Sequence, residues 1–170
     1  DAEIARRNIK LGYYDALRAF SNLEGRRYYI QSYKEENHGL DFFMSLENAR
    51  LDRINETIGI KYNDRKRNLF EYSLPKLGSI LGIGNNFSYD ELFIALLEKK
   101  AESLEIDRFQ IYSLKELLDL VSMPVEESEA LEDKELGILE KIIEKVDLAS
   151  SFNKENLLLE VVDIIFRKEL

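Results

Sequence analysis

The fold this sequence predicts is all-α, a helical bundle of six to eight helices, and three features point there. Apolar residues recur at steps of three and four through most of the chain. Two capping boxes stand directly ahead of apolar stripes. Eight glycines and two prolines punctuate these segments, and no sustained period-two alternation marks a sheet. With 45% apolar and 11% aromatic residues, the 170-residue chain can fill a core, so disorder is excluded as its main state although 34% of it is charged.

The first helix is expected from the chain start, where Ala2, Ala5, Ile9, Tyr13, Ala16 and Phe20 share one face, with Asp1 as N-cap and Gly25 as stop. A second is expected over Arg26–Asn37, ending near Gly39. A third covers about 40–58, where Leu40, Phe43, Leu51, Ile54 and Ile58 are in phase and Gly59 closes the helix. Arg65–Tyr72 reads as a fourth helix or turn ended by Pro75, whose ring pushes Leu74 out of the α region.

The second half is written more plainly. Ser88-Tyr-Asp-Glu91 is a capping box ahead of Tyr89, Leu92, Phe93, Leu96 and Leu97. Phe109–Tyr112 reads as a brief extended piece. Ser113-Leu-Lys-Glu116 is the second capping box and opens a short helix that stops before Pro124. Ile138, Leu139, Ile142, Ile143 and Val146 mark the next helix, and Asn153 is expected to cap a last one carrying Leu157–Phe166.

Charge divides the chain. Residues 1–87 carry 14 Lys+Arg against 12 Asp+Glu, a net of +2; residues 88–170 carry 10 against 21, a net of −11. Nine arginines lie in the first part and two in the second. The join falls at Gly82-Ile-Gly84, a strong loop signal, and suggests two small helical subdomains, 1–86 with an Arg/Tyr-rich face and 87–170 acidic. Leu157–Phe166 is interrupted by Glu160 and Asp163 and falls short of the ~20 apolar residues of a membrane span, so no membrane partner is expected. The absence of cysteine removes disulfides, thiolate metal sites and cysteine nucleophiles; it suits a cytoplasmic location, the expectation taken, and equally a processed secreted chain.

Few residues suggest chemistry. Glu35 and His38 have the E-x-x-H spacing of carboxylate-bridged di-metal bundles, but those use the pair twice and this chain has one histidine. Gly82 and Gly84 form a G-x-G with neither a third glycine nor a Lys-Ser/Thr after it, so no phosphate cradle is expected. Ser113–Leu131 has the outline of a helix-turn-helix, yet its second helix is rich in Glu, which repels phosphate. Arg26, Arg27, Tyr29, Tyr33 and Lys34 are the better candidates for nucleic-acid contact, since helical spacing would set Arg26, Tyr29 and Tyr33 on one face, arginine to pair with phosphate and tyrosine to stack on bases.

Paired carboxylates are the one enzymatic signal. Glu129-Ala-Leu-Glu132 and Glu160-Val-Val-Asp163 would each turn two carboxylates to one side of a helix. Across residues 129–163 this resembles the metal motif of the all-α MazG-like nucleotide pyrophosphohydrolases. The resemblance implies a Mg²⁺ held by Glu129, Glu132, Glu160 and Asp163. Glu129 and Glu132 also belong to the run Glu126–Glu135, a solvated acidic face. The expected function is therefore a non-catalytic protein-binding or accessory subunit without a cofactor. It would present Glu126, Glu127, Glu129, Glu132 and Asp133 to another protein or to a second copy. A nucleic-acid accessory role is the alternative, and a Mg²⁺-dependent hydrolase the third.

Overall fold

The computed structural model describes residues 2–32, 37–61, 64–84, 86–123 and 146–167. The elements run α1 (Ala2–Ser21), β1 (Tyr29–Ile30), α2 (His38–Ser45), α3 (Asn48–Ile58), α4 (Arg65–Asn68), a π turn (Leu69–Ser73), α5 (Leu74–Ile80), α6 (Tyr89–Ser103), β2 (Ile111–Tyr112), α7 (Leu114–Ser122) and α8 (Val146–Phe166). Because α4, the π turn and α5 form one continuous rod, seven helices stand among the described residues, and the fold is all-α with one small strand pair.

The chain forms two compact units, Asp1–Leu46 with Asn86–Ser122 and Glu47–Asn85 with Met123–Leu170. They interleave along the sequence, unlike the single cut at residues 86 and 87 that net charge suggests. Charge reports the composition of surfaces, whereas a shared core decides which helices group.

In the first unit, α2 and α7 pack on α6. Ser88 caps α6 by accepting from the Glu91 N–H at 3.1 Å. Ser113 and Glu116 form the reciprocal box: the Glu116 N–H donates to Ser113 Oγ at 3.2 Å and the Ser113 N–H to Glu116 Oε2 at 2.8 Å. The Ser113 N–H and hydroxyl, both donating to Glu116 Oε2 at 2.8 Å, hold the Glu116 carboxyl below its ordinary pKa. Gly39 lets α2 close on α6, since a Cβ there would lie 2.2 Å from the Tyr89 carbonyl oxygen. Phe93 is fully buried against Phe42, with ring centroids 4.7 Å apart.

Over the described residues 26–32 the helix expected at Arg26–Asn37 is not formed. Arg26–Tyr28 bend, and Tyr29–Ile30 pair in parallel with Ile111–Tyr112, the piece expected to be extended. Tyr-Tyr-Ile favours a half-buried strand once a partner strand is present, and that partner lies some 80 residues onward.

In the second unit, α3 packs on α8 and on the 65–80 rod. Gly59 ends α3 as expected, at φ 82° with its N–H to the Asn55 carbonyl. The single helix expected over 40–58 is two, because Leu46 and Glu47 are extended and Ser45 Oγ donates to the Phe42 carbonyl at 2.7 Å, an alternative partner at the helix end. Pro75 does not end its helix and Leu74 stays helical at φ −62°, ψ −44°. The π turn ahead of it, closed by the Leu74 N–H to the Leu69 carbonyl, relieves the clash a proline ring makes with the preceding α turn. Asn153 caps nothing, since α8 begins at Val146. At the other end of α8, Arg50 donates to the carbonyls of Ile165 and Arg167 at 2.7 and 2.9 Å, supplying cations to the negative pole of the helix. Among the described residues no helix is long and apolar enough to cross a membrane.

Candidate interaction surface

Residues 24–30 make a closed loop in which Glu24 and Ile30 exchange backbone hydrogen bonds of 2.7 and 3.1 Å. Inside it the N–H groups of Arg26, Arg27 and Tyr28 all donate to one oxygen, Oε1 of Glu98 on α6, each at 2.8 Å. Three convergent N–H groups form a nest for an anion, and here the anion is part of the chain. Gly25 at φ 88° makes the approach possible: a Cβ would come within 2.5 Å of that oxygen. Burial raises the Glu98 carboxyl pKa, and the N–H donors pull it back only in part.

This anchor decides what the Arg/Tyr segment presents. Arg26 donates to Glu91 at 2.8 Å, and Arg27 is ion-paired with Glu102. Tyr28 is buried with its hydroxyl donating to the Ile106 carbonyl at 2.9 Å, and burial, with the nearby Glu102, pushes its pKa up to about 12. Tyr29 is fully buried and donates to Asp15 at 3.0 Å; burial and that bond raise its pKa. Tyr33 and Lys34 lie outside the described residues. No helical face therefore gathers Arg26 and Tyr29, because the segment is a bend and a strand. The cleft beside the anchor is lined by Glu24, Gly25, Arg26, Asp90, Glu91 and Glu98. Its outer carboxylates are engaged within the fold, Glu24 by the Ser32 hydroxyl, Asp90 by the Gly39 N–H and Glu91 by Arg26.

Of the carboxylate quartet, Glu160 and Asp163 are described. Glu160 is exposed and accepts from the Thr57 hydroxyl at 3.2 Å; Asp163 is ion-paired with Arg167 at 3.3 Å. Glu129 and Glu132, with Glu126, Glu127 and Asp133 of the expected acidic face and Glu35 of the E-x-x-H pair, lie outside the described residues. Among the described residues no group of three or more acidic or imidazole side chains could hold a metal ion.

The other feature of the first unit is α1, a helix of 20 residues with none buried. Its inner side is held by Tyr14, stacked 5.0 Å from Tyr29, and by Arg18, whose guanidinium lies 4.5 Å over the Tyr29 ring and donates to the Tyr28 carbonyl. The opposite side carries Ala2, Ala5, Ile9, Tyr13, Ala16 and Phe20, the apolar face read from the sequence. Such a face ordinarily turns to a core. Here it faces outward: Ile9 is 72%, Tyr13 61% and Phe20 89% exposed. Gly12 lies beside this face, and a Cβ on it would meet nothing within 4 Å. Arg6 and Arg7 make no ion pair among the described residues.

No protein-family model, curated protein or solved structure matches the chain. Glu98, the residue that organises the first unit, is the one sequence reasoning missed. A signal was available, since Glu98 is in phase with Ile94 and Ala101, an acidic residue written into an inward position.

Proposed function

We propose that the protein is a non-catalytic helical binding protein or accessory subunit, and that α1 is its docking face. One observation carries the reading: α1 has a continuous apolar side with exposed large residues at Ile9, Tyr13 and Phe20. Large side chains grouped on one exposed side are the ordinary mark of a surface completed by another molecule. Arg6, at the edge of this face, would favour an acidic helix against it. The segment Glu126–Glu135 keeps its place in the proposal as a second, acidic face.

The test recovers the tagged chain from its native source beside a variant carrying Ile9→Asp and Phe20→Asp. A protein that accompanies the unaltered chain and is lost with the variant supports the reading. Identical companions in both samples overturn it. Retention of labelled single strands by the intact chain at low salt would replace it with the nucleic-acid role.

A further inference from the structure

We propose that a cavity at the carboxyl ends of the paired strands binds an organic monoanion, a carboxylate carried on an apolar body. The site goes beyond the docking role of α1 and uses none of that helix.

The cavity follows from topology. β1 and β2 are parallel, so both leave the pair at the same end. The pairing closes there, with the Gln31 N–H donating to the Tyr112 carbonyl at 2.8 Å. Beyond that bond the chains part: β1 continues through Gln31 and Ser32, while β2 turns at Ser113 directly into α7. Parallel strands whose following segments diverge leave a crevice at their carboxyl ends, which is where open parallel sheets hold ligands. The crevice here has a volume of about 580 Å³, within the ~300–1,000 Å³ of ligand pockets. His38, at the start of α2, forms a further wall, braced by Phe93 with ring centroids 5.8 Å apart. All of these residues belong to the first compact unit.

The lining selects the ligand. Leu114 and Leu118 lie one turn apart on α7 and supply an apolar wall. Lys115 lines the same cavity, is exposed, and makes no ion pair among the described residues. The Gln31 side-chain amide likewise has no partner among them and adds a donor. The two hydroxyls are taken up within the fold, Ser32 donating to Glu24 at 2.9 Å and Ser113 to Glu116 at 2.8 Å. An ammonium and an amide donor beside two leucines suit a carboxylate with an apolar tail. A dianion such as phosphate fits less well: one ammonium does not balance it, and the Glu116 carboxylate fixed on Ser113 repels it.

The probe is sodium octanoate, added to the intact chain up to about 10 mM at constant ionic strength, since a ligand of this size binds at a dissociation constant on the order of 1 mM. His38 is the one histidine, so its ring Hε1 proton is a single NMR reporter of the cavity. That signal and the amides of residues 114–118 should shift and saturate together. Lys115→Gln, at an exposed position, should weaken octanoate about tenfold, while Lys10→Gln on α1 should leave it unchanged. 1-Octanol, with the same tail and no charge, should bind the unaltered chain at least fivefold more weakly and be indifferent to Lys115→Gln. A His38 signal that does not move, shifts confined to Ile9, Tyr13 and Phe20 of α1, or equal binding by the Lys115→Gln chain overturns the site. Inorganic phosphate moving the His38 signal as strongly as octanoate overturns the assigned ligand, because a bare anion would then suffice.

Discussion

Helices α1 and α6 belong to the same compact unit and were both legible as helices, yet they behave as opposites. Of the 15 residues of α6, eight are buried, among them the polar Glu98 and Lys100. Of the 20 residues of α1, none is. A step of three and four identifies a helix and its apolar side, because that side must be covered by something. It does not say whether the cover lies in the same chain. In α6 the neighbours are α2, α7 and the 24–30 loop; α1 is joined to its unit through Lys10, Tyr14, Asp15 and Arg18.

The sharpest contrast should come from matched truncations. Phe93→Ala removes a fully buried ring from the α2–α6 contact and should cost about 3–5 kcal/mol in urea denaturation. Ile9→Ala on α1 should change the same measurement by less than about 0.5 kcal/mol. Equal losses at the two sites would break the comparison.

Next in size is one substitution made at two glycines. Gly39→Ala drives a Cβ into the Tyr89 backbone, which cannot yield as a side chain tip would, and should cost about 3 kcal/mol. Gly12→Ala meets nothing and should instead raise helix content, by up to about 1 kcal/mol of local stability, read by amide exchange in α1.

Glu98 allows a test with a pH axis. Glu98→Ala leaves three N–H donors without their acceptor and should cost about 2–3 kcal/mol. Glu98→Gln keeps an oxygen for them and should cost less. Burial raises the folded pKa of Glu98 above its ordinary 4.5, so its contribution is complete below that value and declines as pH rises through the folded value. Denaturation of the unaltered chain and Glu98→Gln between about pH 4 and pH 8 should show stability falling across that window in the former relative to the latter. A difference independent of pH would remove burial as the cause. The smallest effect belongs to the caps: Ser88→Ala should lower stability by about 1 kcal/mol, by thermal or urea unfolding.

What the sequence disclosed follows the range of the interaction involved. The Ser88 cap, the Ser113–Glu116 capping box and the Gly59 stop are settled within a few residues, and they stand where local chemistry puts them, although the Glu91 carboxylate, expected to complete the Ser88 box, pairs with Arg26 instead. The bend at Arg26–Tyr28 depends on Glu98, some 70 residues away, and a strand partner beyond it, so local spacing read it as helix. The candidate site divides the same way. The apolar face of α1 was visible residue by residue, while its outward direction is a tertiary fact. The surroundings of Arg26, Arg27 and Tyr29 were likewise set by partners distant in sequence.

The π turn ahead of Pro75 also bears on how this chain can change. Relative to an α-helix it holds one residue in excess, and every side chain after it is rotated by about 100° from where an unbroken helix would aim it. Leu74 and Leu77 are buried in that rotated frame. Losing any one residue between Leu69 and Ser73 would close the turn to an α turn that leaves both aimed at the core but brings the proline ring back against the carbonyl it now avoids. Exchanging the exposed Tyr72 for another residue would leave that carbonyl clear of the ring. In this stretch the spelling can drift, but the number of letters is fixed.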